Sequence, residues 1–385
     1  MKKNSFLFFI VMVIQNLAFN FVHPVTPKLI SVLELPAYTF GIAFASMATS
    51  SFLFSRFWGY ISSLKDNRYI YSFNCIIYGL SQILFMVSKS VLHIIVARFI
   101  GGCAVAAINV SALNYLVKIS TQENKSKNLA LFTSLTVISN SLGFLFGGYI
   151  GNNNLKFAFY AQFITLCISS LLFIVFGVKT KQNKKIDKAR FKNYLNPIIV
   201  FDYNINQKLK IILIIVFLTF TSSITYEQSF NYYLNDILNF MPSRIGEIKA
   251  ITTIIILVFN ILLSYKLLES KNFKINLSII LLLCSFFSFS HIFLKRIDLF
   301  LISSYIFMAL NSLHVPLIQK RITDSSSDEI YGTYNALKSL GWIVGGLIAG
   351  FSYQLYFNLP FLITSLIFLI STIMLNFNSF KSNKL

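Results

Sequence analysis

A chain of 385 residues that is 56% hydrophobic and only 12% charged lacks the polar surface of a water-soluble domain, in which about a quarter of residues carry charge. Its net charge of +20 would mark a nucleic-acid surface if gathered in one patch, but the 33 Lys and Arg fall in short clusters between long apolar runs, the pattern of a polytopic membrane protein. All four cysteines (Cys75, Cys103, Cys167, Cys284) sit inside apolar segments without disulfide or metal spacing, so no metal or cofactor is expected.

The apolar runs are long enough to cross a hydrocarbon core of about 30 Å as helices. In chain order they lie near 5–27, 38–61, 69–88, 91–117, 128–151 and 155–178, then near 209–232, 245–267, 274–294, 298–319, 331–356 and 358–378. Lys2 and Lys3 precede the first run as a signal peptide's charged region would. No small-residue cleavage site follows, so the first run is read as a retained span.

With the N-terminus inside, 23 Lys and Arg fall on the cytoplasmic side and 7 on the external side, while Arg56, Arg98 and Lys338 lie within or at the ends of spans. This bias places both termini in the cytoplasm and requires an even number of spans. Abundant Lys, Asn and Ile suggest an AT-rich bacterial genome, and hence a bacterial cell membrane.

The longest polar stretch, 179–208, is Lys-rich and separates two sets of six spans. The sets resemble each other. LGFLFGGYI at 142–150 recurs as LGWIVGGLI at 340–348, and Asn109 with Lys118 matches Asn311 with Lys320. The expected fold is all-α, with twelve transmembrane helices in two pseudo-symmetric six-helix bundles, 1–178 and 209–385, joined by a basic linker at 179–208.

Three motifs carry a family resemblance. GYISSLKDNR at 59–68, with Gly59, Asp66 and Arg68, is a degenerate copy of the loop G-x-L-A-D-R-x-G-R-K, with Ser63 where the usual Asp stands. Arg98 to Ala107, with Gly102, keeps R-x-x-x-G-x-x-x-A on helix 4. Gly143, Gly147 and Gly148 keep the glycines of the helix-5 motif G-P-x-x-G-G with Phe144 in place of its proline, and Gly341, Gly345 and Gly346 repeat them in helix 11. On these residues the whole chain resembles the major facilitator superfamily, and more narrowly its twelve-span drug/proton antiporter group. The glycines also suit close helix packing on their own account.

Polar side chains inside spans are functional candidates. Arg98 lies several residues inside its span, where an arginine costs about 2.5–3.5 kcal/mol on insertion scales, so it should face a polar interior and have a partner. Thr219, Ser223, Glu227 and Asn231 follow an i, i+4 spacing that places them on one helix face. A carboxyl on such a face is suited to binding and releasing protons, which makes Glu227 the first proton-coupling candidate. Alternatively it sits hydrated in the external headgroup zone. His314 is the second candidate. Asn16, Asn20, Arg98, Asn109, Ser223, Tyr226 and Asn311 come from helices that line the cavity in the resembled family, and are the substrate-cavity candidates; each amide has an interhelical hydrogen bond as its structural alternative.

The resemblance implies a secondary transporter working by alternating access, with a small-molecule substrate, protons and the lipid bilayer as its partners. It implies no nucleic acid, and a monomer is expected. Proton-coupled efflux of a small amphipathic compound is the preferred reading. Proton symport and sugar or metabolite export use the same architecture. A membrane-embedded lipid-modifying enzyme would need clustered Asp, His or Cys near one membrane face, and the sequence has none. The chain also lacks a P-loop.

Overall fold

The structure is a computed structural model that describes residues 3–179, 207–270, 272–325 and 328–382. Apart from short loops and turns, all described residues are helical. The expected linker, 179–208, lies almost wholly outside them.

The first half contributes α1 (Lys3–Asn20), α2 (Thr26–Val32), α3 (Thr39–Leu64), α4 (Asn67–Met86), α5 (Val91–Ile119), α6 (Gln122–Asn153) and α7 (Leu155–Phe176). The second half contributes α8 (Gln207–Asp236), α9 (Pro242–Phe259), α10 (Tyr265–Glu269), α11 (Phe273–Ser290), α12 (Ile297–Ser325), α13 (Asp328–Leu355) and α14 (Leu359–Ser382). A π-helical turn, Asn260–Ser264, joins α9 to α10. Among the described residues ten helices are long and apolar enough to cross a membrane. The remaining two expected spans correspond to α1, whose apolar part is Phe6–Asn20, and α3.

The first span departs from the expectation of one helix over 5–27. α1 stops at Asn20 and a short second helix begins at Thr26, with proline in its first turn. Pro24 and Pro27 explain the break, because each lacks a backbone N–H and restrains the residue before it. The eighth span is also irregular. Asn260 donates to the Ile256 carbonyl and to Ser312 Oγ at 2.8 Å, which accommodates the wider π turn.

By contacts the chain divides into two compact units. One comprises Met1–Leu35, Ser46–Pro197 and Asn239–Thr253; the other comprises Pro36–Ala45, Ile198–Leu238 and Ile254–Leu385. The first unit therefore includes the first turns of α9, and the second the first turns of α3.

Inside each unit the same packing scheme recurs. In the first, α4 packs on α5 and α7, and α1 packs on α6 and α7. In the second, α11 packs on α12 and α14, and α8 packs on α13 and α14. Small polar side chains bond across these seams, as expected where lipid removes the hydrophobic drive between helices. Ser72 and Ser170 each donate to the other's backbone carbonyl between α4 and α7, and Ser285 donates to the Ser365 carbonyl between α11 and α14 at 2.9 Å.

Aromatic rings fill both cores. Phe8, Tyr71, Tyr115 and Phe173 cluster in the first unit, and Tyr226, Phe230, Phe307 and Phe361 in the second. The outside is apolar too. Leu92, Phe73, Phe286 and Ile261 are each more than 60% exposed, a surface stable only against acyl chains.

The repeated lysines Lys118 and Lys320 do matching work. Lys118 Nζ donates to the Ser62 carbonyl near the end of α3, and Lys320 Nζ donates to the Leu268 carbonyl in α10. A cation at a helix C-terminus satisfies an orphan carbonyl and complements the dipole.

Candidate functional site

The candidate residues fall in both units, and each set is described within its own. In the first unit the 59–68 motif spans the end of α3 and the start of α4, with Lys65 and Asp66 between them. Asp66 accepts from the Arg68 backbone N–H at 3.1 Å and pairs with its guanidinium at 2.8 Å, starting α4 as an N-cap residue does. Arg68 Nη1 then donates to the Gly177 carbonyl at 2.9 Å, closing the end of α7. The degenerate motif thus keeps a charge pair, now used to join two helix ends. Asp66→Ala removes the cap and leaves Arg68 without its counter-ion. It should lower stability by about 1–2 kcal/mol, read as a fall in melting temperature of the purified protein.

The glycines of helices 5 and 11 are points of backbone contact. A Cβ at Gly143 would lie 2.5 Å from the Leu17 carbonyl oxygen, and one at Gly147 would lie 2.2 Å from that of Phe21, so α6 rests directly on α1 and its C-terminal continuation. At Gly148 the neighbour is the start of α9, with Gly246 facing it. The second copy repeats the scheme. Gly341 and Gly345 rest on α8 at Phe217 and Thr221, whereas Gly346 meets Gly41 of α3. Gly41, Gly246 and Gly350 make equally close contacts but belong to no repeated motif, so the sequence alone gives them no role. Gly59 differs from all of these: among the described residues nothing lies within 4 Å of its added Cβ.

Asn16 and Asn20 are both 7% exposed. Asn20 donates to Asn140 Oδ1 at 2.8 Å and Asn16 to Thr136 Oγ1 at 3.4 Å, so both bind α1 to α6. Arg98 is also 7% exposed. Its Nη1 donates to Gln82 Oε1 at 3.3 Å, its Nη2 approaches Thr26 Oγ1 at 3.5 Å, and its cation sits 4.0 Å from the centre of the Phe85 ring. The expected partner exists, but it is an amide and a ring rather than a carboxylate. Asn109, three turns along α5, is exposed. It lies about 180° around the helix from Ile100, one of the apolar side chains exposed on the opposite face.

In the second unit, Ser223 of α8 donates to Asn311 Oδ1 of α12 at 2.7 Å. Glu227, one turn further on, is exposed. It lies about 140° around the helix from Ile214, which is 44% exposed. Of the other two members of that row, Thr219 and Asn231 are buried, so the polar face opens only at Ser223 and Glu227. Tyr226 points elsewhere. It is fully buried, its hydroxyl bonded to His291 Nε2 at 3.1 Å and its ring stacked on Phe307 at 3.8 Å, which places it in the bundle core and not on an open wall. His314 is 1% exposed between Phe220 and Phe368, and neither ring nitrogen has a hydrogen-bond partner among the described residues.

The chain matches the Major Facilitator Superfamily over residues 8–345. It belongs to that superfamily. Multidrug resistance protein 2 of Bacillus subtilis is 22% identical over 362 residues, covering 92% of this chain and 90% of that protein. The quinolone resistance protein NorA of Staphylococcus aureus (strain Mu50) is 23% identical over 246 residues, covering 64% of this chain and 62% of that protein. The fold matches that of the nucleoside transporter NupG with a TM-score of 0.73 at 13% identity, covering 100% of both chains. This superfamily member is therefore a multi-pass membrane protein with the twelve-helix transporter fold, and acts as a secondary transporter.

Proposed function

We propose that the chain is a proton-driven exporter of small amphipathic compounds, with Glu227 as the proton carrier. One observation carries the assignment of the carrier. Among the described residues Glu227 is the sole carboxylate more than two turns from both ends of its helix. It also faces away from the exposed Ile214. A carboxyl placed in a span is costly and is found where ions or protons pass. His314 is enclosed by aromatic rings, which favours Glu227. The names of the relatives, a multidrug resistance protein and a quinolone resistance protein, support export as the direction and amphipathic drugs as the cargo.

In this reading 1–178 and 209–385 are the two bundles that alternate access, and 179–208 is a cytoplasmic linker. Both termini are cytoplasmic, and the working unit is a monomer in a bacterial plasma membrane. Within the second bundle Ser223 and Asn311 contribute polar surface to the substrate path; within the first, Asn109 does so, and Asn16 and Asn20 hold α1 against α6.

Expression in cells stripped of their own exporters tests the direction. The steady-state content of an amphipathic fluorescent dye should fall several-fold, and a protonophore should restore it. A rise in dye content would indicate symport instead, and a fall untouched by the protonophore would remove proton coupling.

A further inference from the structure

Arg98 is enclosed without a countercharge among the described residues. The acidic residues of the first half that are described, Glu34, Asp66 and Glu123, lie in loops or at a helix start, and Asp66 is engaged by Arg68. Among the described residues no carboxylate pairs with Arg98. A guanidinium has five N–H donors and no acceptor. Here two long contacts, to Gln82 Oε1 and Thr26 Oγ1, and a 4.0 Å approach to Met47 Sδ occupy part of that set. Arg98 Nε has no hydrogen-bond partner among the described residues.

Gln82 adds to the imbalance. Its oxygen faces Arg98, so the amide cannot be turned over without setting donor against donor, and its Nε2 is left buried without an acceptor. One unsatisfied charge and two unsatisfied donors therefore lie together in a low-dielectric interior, where leaving them unpaired is costly. Gly101 lets α5 sit close against α4 beside them: a Cβ there would lie 3.5 Å from Gln82 Nε2 and 2.8 Å from Ser81 Oγ.

The second unit shows the same bias independently. Lys338, half-buried in α13, has its ammonium 5.2 Å from the centre of the Phe220 ring and 4.9 Å from that of Trp342. No carboxylate pairs with it among the described residues. Arg98 and Lys338 each lean on aromatic faces, which attract a cation but do not neutralise it.

We infer that the transported compound is an anion, a small amphipathic carboxylate whose acid group pairs with Arg98. A carboxylate supplies two oxygens in the plane that a guanidinium fork matches, and it brings the acceptors that Arg98 Nε and Gln82 Nε2 lack. The inference rests on the export reading above and narrows its cargo. The guanidinium is enclosed in the described conformation, and the alternating cycle of the superfamily gives the substrate its access.

The test is binding to the purified full-length protein in lipid nanodiscs, read by fluorescence anisotropy with three dyes of one scaffold: a xanthene carboxylate, its methyl ester, and a cationic rhodamine. The wild type should bind the carboxylate roughly tenfold tighter than the ester. Arg98→Gln should bring that ratio close to one, and Arg98→Lys, which keeps the charge and loses the fork, should give an intermediate ratio. Equal wild-type affinity for acid and ester, preference for the cation, or an unchanged ratio in Arg98→Gln each overturns the inference and leaves amphipath export standing. If Arg98→Gln does not fold, the wild-type ratio and Arg98→Lys decide. Binding of none of the three dyes overturns both the anionic cargo and the amphipath reading.

Discussion

Gly147→Val and Gly41→Val should each sharply reduce the folded protein recovered from membranes, whereas Gly59→Val should not. The contacts at the first two positions are with backbone: a Cβ at Gly147 would lie 2.2 Å from the Phe21 carbonyl oxygen, and one at Gly41 would lie 2.2 Å from that of Gly346. No rotamer change relieves such an overlap, so whole helices must separate by more than 1 Å or so to restore ordinary contact. Helix association in a bilayer rests on this close approach and on interhelical hydrogen bonds. The bond from Asn20 to Asn140 at 2.8 Å lies on the same α1–α6 seam as Gly147. Overpacking against a movable side chain costs about 1–3 kcal/mol. Against fixed backbone the cost should be at or above the upper end, a large share of a total stability of about 5–15 kcal/mol. At Gly59 an added Cβ meets nothing within 4 Å among the described residues, so the change should lie within about 0.5 kcal/mol. Monodisperse protein measured by fluorescence-detected size exclusion distinguishes the three variants. Equal recovery of all three would show that the glycines do not set the helix spacing.

Glu227→Gln should uncouple protons from transport without unfolding the protein. The side chain is exposed and the amide keeps its shape, so the effect on stability should be within about 0.5 kcal/mol. What the amide lacks is a titratable proton. With two arms measured on the same vesicles, the ratio of proton flux to substrate counterflow should fall at least tenfold in the variant. A substitution at Asp236 should not reproduce this effect. Asp236 ends α8 and accepts a hydrogen bond from the Tyr353 hydroxyl at 2.9 Å, a contact that ties α8 to α13.

Much of this was legible in the sequence because spans, repeats and polar faces are periodic signals. The match of Asn109 and Lys118 with Asn311 and Lys320 led to lysines that cap equivalent helix ends. The helix-5 glycines and their copy in helix 11 led to equivalent backbone contacts. What the sequence left unread is the identity of neighbours. Periodicity shows that Tyr226 precedes Glu227 in a span, but the 100° step between consecutive residues that turns it into the aromatic core has meaning only once Phe307 and His291 are in place. Likewise Gly41 and Gly246 stand in no motif, and only their facing partners, Gly346 and Gly148, give them a role. The partner of Arg98 was unreadable for a related reason. A buried cation calls for a carboxylate, and this chain supplies an amide, a hydroxyl and a phenyl ring instead.

The central claim is that substrate movement is exchanged for protons, and it is tested most directly in proteoliposomes that hold the wild-type protein and a pH-sensitive dye in the lumen. Addition of a compound that the chain exports from cells should drive protons across the membrane in the direction opposite to that compound, and a protonophore should abolish the signal. Movement of the compound with no accompanying change in luminal pH would contradict the claim.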